Sequence, residues 1–213
     1  EHLILLTLFL TPLSLQLSYL TGSTGIDISV PTEPVMALLL LITLFKLIVT
    51  REFSRDLLRH PVTWFIGLYI LWTLITAITS TMPAVSFKTL AYRLWFTAGF
   101  YLVVAQLASS DRFRKRYLIA YSAGLAIVIV YFIIRVQGAG LLNQQFAHSA
   151  CYPFYKDHTS FGASIAFLLP PLTVMLFSRG GLARKGMLAL LLVLFVAGFI
   201  LSYSRAAWVS LII

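Results

Sequence analysis

Charge is what this chain has least of. Only 11% of its 213 residues are Asp, Glu, Lys or Arg, where an ordinary soluble domain carries about a quarter. Acidic residues are the rarest, seven in all. A water-soluble fold could not cover a chain that is 60% hydrophobic with so little polar surface. A bilayer removes that demand, because lipid solvates the apolar outside. Cysteine is nearly missing too. Cys151 stands alone, so an internal disulfide is excluded and the redox compartment stays unassigned. There is no Walker-type glycine-rich loop, no His or Cys pair at zinc spacing and no low-complexity tract. No Asp or Glu sits at the centre of an apolar run, which argues against a proton-coupled transporter.

What the chain does have is a succession of apolar runs, each near the ~20 residues that cross a bilayer. Spans are predicted at 3–20 (kinked by Pro12), 34–50, 61–80, 90–109, 117–136, 159–177 and 187–203, and an eighth begins near Ala206. The expected fold class is all-α: one transmembrane domain over 1–213, a polytopic helical bundle of about seven complete spans plus the start of another. Residues 3–20 lack a basic leader and a small-residue cleavage site, so they read as a span and not as a signal peptide. The chain starts at Glu1 and stops inside an apolar run at Leu211, Ile212 and Ile213, and reads as a fragment cut at both ends.

The net charge of +9 would suggest nucleic acid if the basic residues formed a stripe. They fall instead in short clusters between apolar runs, and no nucleic-acid partner is expected. Arg51, Arg55 and Arg59, then Arg112, Arg114, Lys115 and Arg116, then Arg179, Arg184 and Lys185 occupy alternate loops. The opposite set is poorer: Lys88 and Arg93, Arg135 and Lys156, and Arg205, with no Lys or Arg in 21–33. The positive-inside bias puts the first set and the amino end in the cytoplasm. Lys46 lies near the inner end of the second span.

The few ionisable groups on the outer side are therefore the candidates for chemistry, because charge near membrane depth is costly. The plainer alternative is a long side chain reaching up to the headgroups. Arg205 lies among small residues in Ser202-Tyr203-Ser204-Arg205-Ala206-Ala207-Trp208, where a ligand can approach closely, and its guanidinium suits phosphate oxygens. Lys88 and Arg93 are expected at the outer start of the fourth span, and a five-residue spacing keeps them off one helical face. The densest outer cluster is Tyr155-Lys156-Asp157-His158-Thr159-Ser160-Phe161-Gly162. There Asp157 or Thr159 could cap the sixth span. His158 could accept a proton or simply sit at the interface. Lys156 could meet phosphate or water. Pro170-Pro171 is expected to kink the same helix.

Two of these stretches resemble a known family. Lys156-Asp157-His158-Thr159-Ser160-Phe161-Gly162 opening a helix, followed about forty residues later by Ser202-Tyr203-Ser204-Arg205-Ala206-Ala207-Trp208, is similar to segments of bacterial O-antigen ligases and the related O-antigen or exopolysaccharide polymerases. Arg93 after a short outer loop fits the general pattern. The resemblance implies a multi-spanning glycosyltransferase of the bacterial inner membrane, part of lipopolysaccharide biosynthesis. It implies a glycan donor on undecaprenyl diphosphate, and lipid A-core or another carrier-linked glycan as acceptor, with transfer at the periplasmic face. It implies no cofactor and no metal. Arg205 matches the diphosphate-binding arginine by motif, with Arg93 as a second contact and Lys88, Lys156, Asp157, His158 and Ser204 as further substrate-site candidates. The family's essential histidine lies in a large periplasmic loop downstream of the last residue here, so the catalytic base stays unassigned. The ligase form is slightly favoured over the polymerase. Two readings from other classes compete: a transporter or lipid-linked glycan flippase, which calls for polar residues at mid-membrane depth, and a non-enzymatic scaffold.

Overall fold

The computed structural model describes residues 1–16, 29–45, 48, 49, 57, 59–108, 110–140 and 143–212. Among the described residues the fold is all-α apart from one two-residue antiparallel ladder, in which β1 (Leu15–Gln16) pairs with β2 (Ser29–Val30). The helices are α1 (His2–Leu10), α2 (Thr32–Phe45), α3 (Pro61–Ile78), α4 (Pro83–Phe96), α5 (Val104–Leu107), α6 (Asp111–Ala139), α7 (Gln144–Ala150), α8 (His158–Phe177), α9 (Leu182–Leu201) and α10 (Arg205–Ile212). A π-helical stretch, Thr97–Val103, joins α4 to α5. Among the described helices, α3, α6, α8 and α9 are long and apolar enough to cross a membrane. This is a helical membrane protein. On α3 even the largest side chains face outward, with Trp64 67% and Phe65 72% exposed. That is the surface of a helix solvated by lipid.

Several predicted boundaries move, each for a local reason. The first span ends early: α1 stops at Leu10 and a 3-10 turn, Thr11–Leu13, carries Pro12 at its start. Proline lacks the N–H a continuing helix needs and clashes with the preceding turn, so it ends this helix instead of kinking it. Leu15 and Gln16 are then extended, and residues 17–20 of the expected span lie outside the described residues. So do Lys46, Arg51 and Arg55.

The loop expected at 82–89 is already helical. α4 starts at Pro83, where the fixed φ suits the first helical position. Ser80 closes the turn before it, its Oγ accepting from Met82 N at 3.1 Å and from Ser86 Oγ at 2.7 Å. Lys88 is therefore within the helix and not in a loop. The basic segment at 111–116 is likewise the first turns of α6. Asp111 complements the helix dipole there and pairs with Arg114, and Ser110 Oγ accepts from Phe113 N at 3.4 Å. The polar stretch at 137–158 contains the short helix α7. α9 begins at Leu182, so Arg184 and Lys185 lie in its first turn. α8 runs unbroken through Pro170 and Pro171.

The chain divides into two compact units. Unit one comprises Glu1–Thr7 and Thr32–Lys115; unit two comprises Leu8–Pro31 and Arg116–Ile213. In unit one, α3 and α4 form a helical hairpin, and α2 packs on the π-helical stretch. Tyr101 from that stretch meets Thr63 Oγ1 of α3 at 2.7 Å, and Tyr92 of α4 donates to the buried carboxylate of Glu33 in the first turn of α2. Unit two holds the large apolar core. Leu125, Val128, Ile129 and Phe132 of α6 meet Phe161, Ile165, Leu168 and Leu172 of α8 and Leu188 and Phe195 of α9. The rings of Phe132 and Phe161 are 4.8 Å apart.

Candidate functional site

The two sequence stretches that carry the family resemblance meet in unit two. Gly162, one turn into α8, lies against the turn that joins α9 to α10. A Cβ on Gly162 would sit 2.9 Å from Ser204 Cβ, 3.1 Å from Ser202 Oγ and 3.2 Å from Ala207 Cβ. Only a residue without a side chain admits that approach. The turn itself is tightly made. Tyr203 adopts a left-handed conformation, φ 50°, uncommon for a residue with a side chain. Ser202 Oγ donates to Phe199 O at 2.7 Å and accepts from Ser204 N at 3.4 Å. Ser204 caps α10, its Oγ accepting from Ala207 N at 3.3 Å. Trp208 Nε1 donates to Phe199 O at 3.3 Å, tying α10 back to α9. Ser202 and Ser204 are buried by this arrangement.

Arg205 is the first residue of α10, and its side chain is exposed. It makes no hydrogen bond or ion pair among the described residues. Its charge sits at the positive end of a helix, where the dipole gives it nothing. An uncompensated guanidinium next to the buried Ser204 leaves all five N–H donors for an external anion.

The other end of the junction is α8's start. Asp157 caps it, Oδ1 accepting from Thr159 N at 2.6 Å and Ser160 N at 2.8 Å while Ser160 Oγ donates to Oδ2 at 2.9 Å. The amide of Ser160, followed by the other donors, holds this carboxyl below its ordinary 3.8. Asp157 thus has a structural role, and its oxygens are largely spent. Lys156 is exposed and has a partner of its own. His158 stacks on His148 of α7, ring centroids 3.8 Å apart and nearly parallel at 10°. His148 Nε2 is buried and without a hydrogen-bond partner among the described residues. Cys151 is fully buried, and burial pushes its thiol up to about 11, so it stays protonated and unreactive. Burial also raises the Tyr155 hydroxyl.

Arg135, counted as an outer loop charge from the sequence, is a brace inside α6. Its Nη1 donates to Tyr152 O at 2.6 Å and Ala150 O at 3.3 Å, and its guanidinium lies over Tyr131 and Phe146.

The remaining candidates belong to unit one. Arg93 of α4 lies over the Tyr69 ring at 4.6 Å and donates to Thr73 Oγ1. Lys88 sits 5.5 Å from the centre of the Tyr92 ring. Among the described residues no three His, Cys, Asp or Glu side chains converge to hold a metal ion.

No family model, curated protein or solved structure matches this chain. The functional reading therefore rests on the residues and their geometry.

His148 carried no role in the sequence reading, because its partner His158 is ten residues away across a turn no periodicity describes. Gly162 falls within its sequence motif, yet nothing local marks the glycine as the contact point.

Proposed function

We propose that this chain is the membrane part of a glycosyltransferase of the O-antigen ligase kind, moving a glycan from undecaprenyl diphosphate to an acceptor. One observation carries the reading. The two stretches that resemble that family are packed on each other through Gly162. At that junction Arg205 projects, exposed and unbonded, from a turn whose serines are buried. α8 packs on both α9 and α10, which brings the start of α8 beside the end of α9 and gathers the two stretches at one place.

The chemistry suits the residue. As the sugar–phosphate bond breaks, negative charge grows on the diphosphate leaving group. A guanidinium held at that group binds it more strongly in the transition state than in the ground state, which lowers the barrier. Further along α8 the exposed apolar residues Phe167, Val174 and Phe177 offer a surface for a polyprenyl tail. In this reading the chain crosses the bacterial inner membrane about seven times with its amino end in the cytoplasm, and the α9–α10 turn and the start of α8 lie on the periplasmic side. Lipid A-core is the acceptor for a ligase; a carrier-linked glycan is the acceptor for a polymerase.

The test is expression of the gene in cells that lack their own ligase. Restoration of the long-chain lipopolysaccharide ladder supports the ligase. Correction of a polymerase-null host, which accumulates single repeats, supports the polymerase. Neither correction in stably expressing cells rejects both.

A further inference from the structure

The α3–α4 hairpin of unit one holds a second polar site. Thr73, Thr76 and Ala77 of α3 and Ser86, Thr89 and Arg93 of α4 line an open depression of about 140 Å³, in which Thr76 and Thr89 are exposed. Spacings of three, four and seven residues put these side chains on one stripe of each helix.

The hydroxyls do not bond to one another across the two helices; their protons go to their own surroundings. Thr73 Oγ1 donates to Tyr69 O at 2.8 Å, Thr76 Oγ1 to Thr73 O at 2.9 Å and Thr89 Oγ1 to Val85 O at 3.0 Å, each within its own helix. Ser86 Oγ donates to Ser80 Oγ in the connecting turn. Each proton is thereby used, while each oxygen retains lone pairs. The donor to the cavity is Arg93, with one N–H given to Thr73 and its ring-facing side laid on Tyr69. The lining therefore offers acceptors around the wall and donors at one place.

That pattern discriminates between ligands. An oxyanion carries acceptors only, so away from Arg93 it would face oxygens whose protons are committed. A polyol carries a donor and an acceptor at every hydroxyl, and so suits both parts of the wall. The volume corresponds to several water molecules and suits a single sugar ring. We propose that this cavity is a carbohydrate subsite, in which ring hydroxyls donate to Thr76 Oγ1 and Thr89 Oγ1 and one accepts from Arg93. The inference does not require the diphosphate role of Arg205.

The experiment uses the purified chain in lipid nanodiscs, free of glycoside detergent. Glucose, N-acetylglucosamine and inorganic diphosphate are the probes, followed by saturation-transfer NMR across a titration. Saturable binding of a sugar is expected, weakened at least tenfold in Thr76→Val/Thr89→Val, which keeps the side-chain shape and removes both acceptors. Thr76→Ser/Thr89→Ser, which keeps them, should bind as the parent does. Thr89→Val alone, on the exposed rim, serves if the double valine variant does not fold. No saturable sugar signal, binding of diphosphate alone, or sugar binding indifferent to valine each overturns the proposal. None of these results bears on the lipopolysaccharide ladder, so failure here and failure of the transferase reading are read separately.

Discussion

Arg93 in unit one and Arg205 in unit two look alike in the sequence, each a lone guanidinium beside hydroxyl residues at the end of an apolar run. Their surroundings differ. Arg93 is half-buried, stacked on Tyr69 and bonded to Thr73. Arg205 stands exposed on a buried turn with its donors unused. Arg93 gives one of its N–H groups to its own fold and so contributes to stability, while Arg205 keeps all of its donors for a ligand. Two individual glycines differ as sharply. Gly162 has no room for a Cβ, whereas a Cβ on Gly67 of α3 would meet nothing within 4 Å.

The largest expected effect separates the two arginines. Arg205→Ala should slow glycan transfer roughly 100- to 1,000-fold, as loss of one preorganised donor to a developing charge does. Its unfolding free energy should stay within about 0.5 kcal/mol of the parent. Arg93→Ala should instead lose about 1.5–3 kcal/mol through its charge-assisted hydrogen bond. Transfer assays paired with unfolding in mixed micelles check both; an Arg205→Ala protein that transfers normally, or an Arg93→Ala protein of parental stability, breaks the comparison.

Gly162→Val comes next. Forcing a side chain against Ser204 and Ala207 should cost about 1–3 kcal/mol, and by displacing the turn that carries Arg205 it should lower transfer as well. Unchanged stability would mean the α8–α10 approach is looser than the distances state.

Asp157→Ala should cost about 1 kcal/mol through loss of the α8 cap. Because the folded carboxyl titrates below its ordinary 3.8, the cap's contribution is complete above that value and fades as pH falls through the lower folded one. Unfolding measured from pH 6 to pH 2 should show the parent losing this increment and the alanine variant lacking it throughout. A constant difference at all pH values would remove the charge from the cap.

The smallest effect belongs to Gly67→Ala. With open space around it and a helical backbone, alanine should stabilise α3 by no more than about 1 kcal/mol. Destabilisation would reveal a neighbour pressed against that face.

Much of the architecture was legible from composition and run length. α3 and α8 fall almost where predicted, because each opens on a strong local signal: Pro61 in the first turn of one and the Asp157 cap of the other. The errors cluster where polar residues begin a helix. Asp111, Arg114 and Lys115 look like loop when hydropathy is the guide, yet they suit a helix start that emerges from the membrane. The candidate site was half legible. Arg205 stands out by its residue type, and of the two readings open for Asp157, substrate-site residue or helix cap, the structure shows the cap. The hydroxyls of the α3–α4 cavity went unnoticed, since Thr and Ser inside apolar runs carry little hydropathy signal, although their spacing on facing stripes could have revealed them.

The sequence by itself determined that this is a helical membrane protein, because continuous apolar runs of about 20 residues satisfy their backbone in lipid as helices. It also determined where α3 and α8 begin, since Pro61 and the Asp157 cap act within a few residues. Which residues share a site was decided only by tertiary structure. The meeting of Gly162 with Ser204, the stacking of His148 on His158 and the different fates of Arg93 and Arg205 depend on close packing between distant segments, and contact distance is not written in any local pattern.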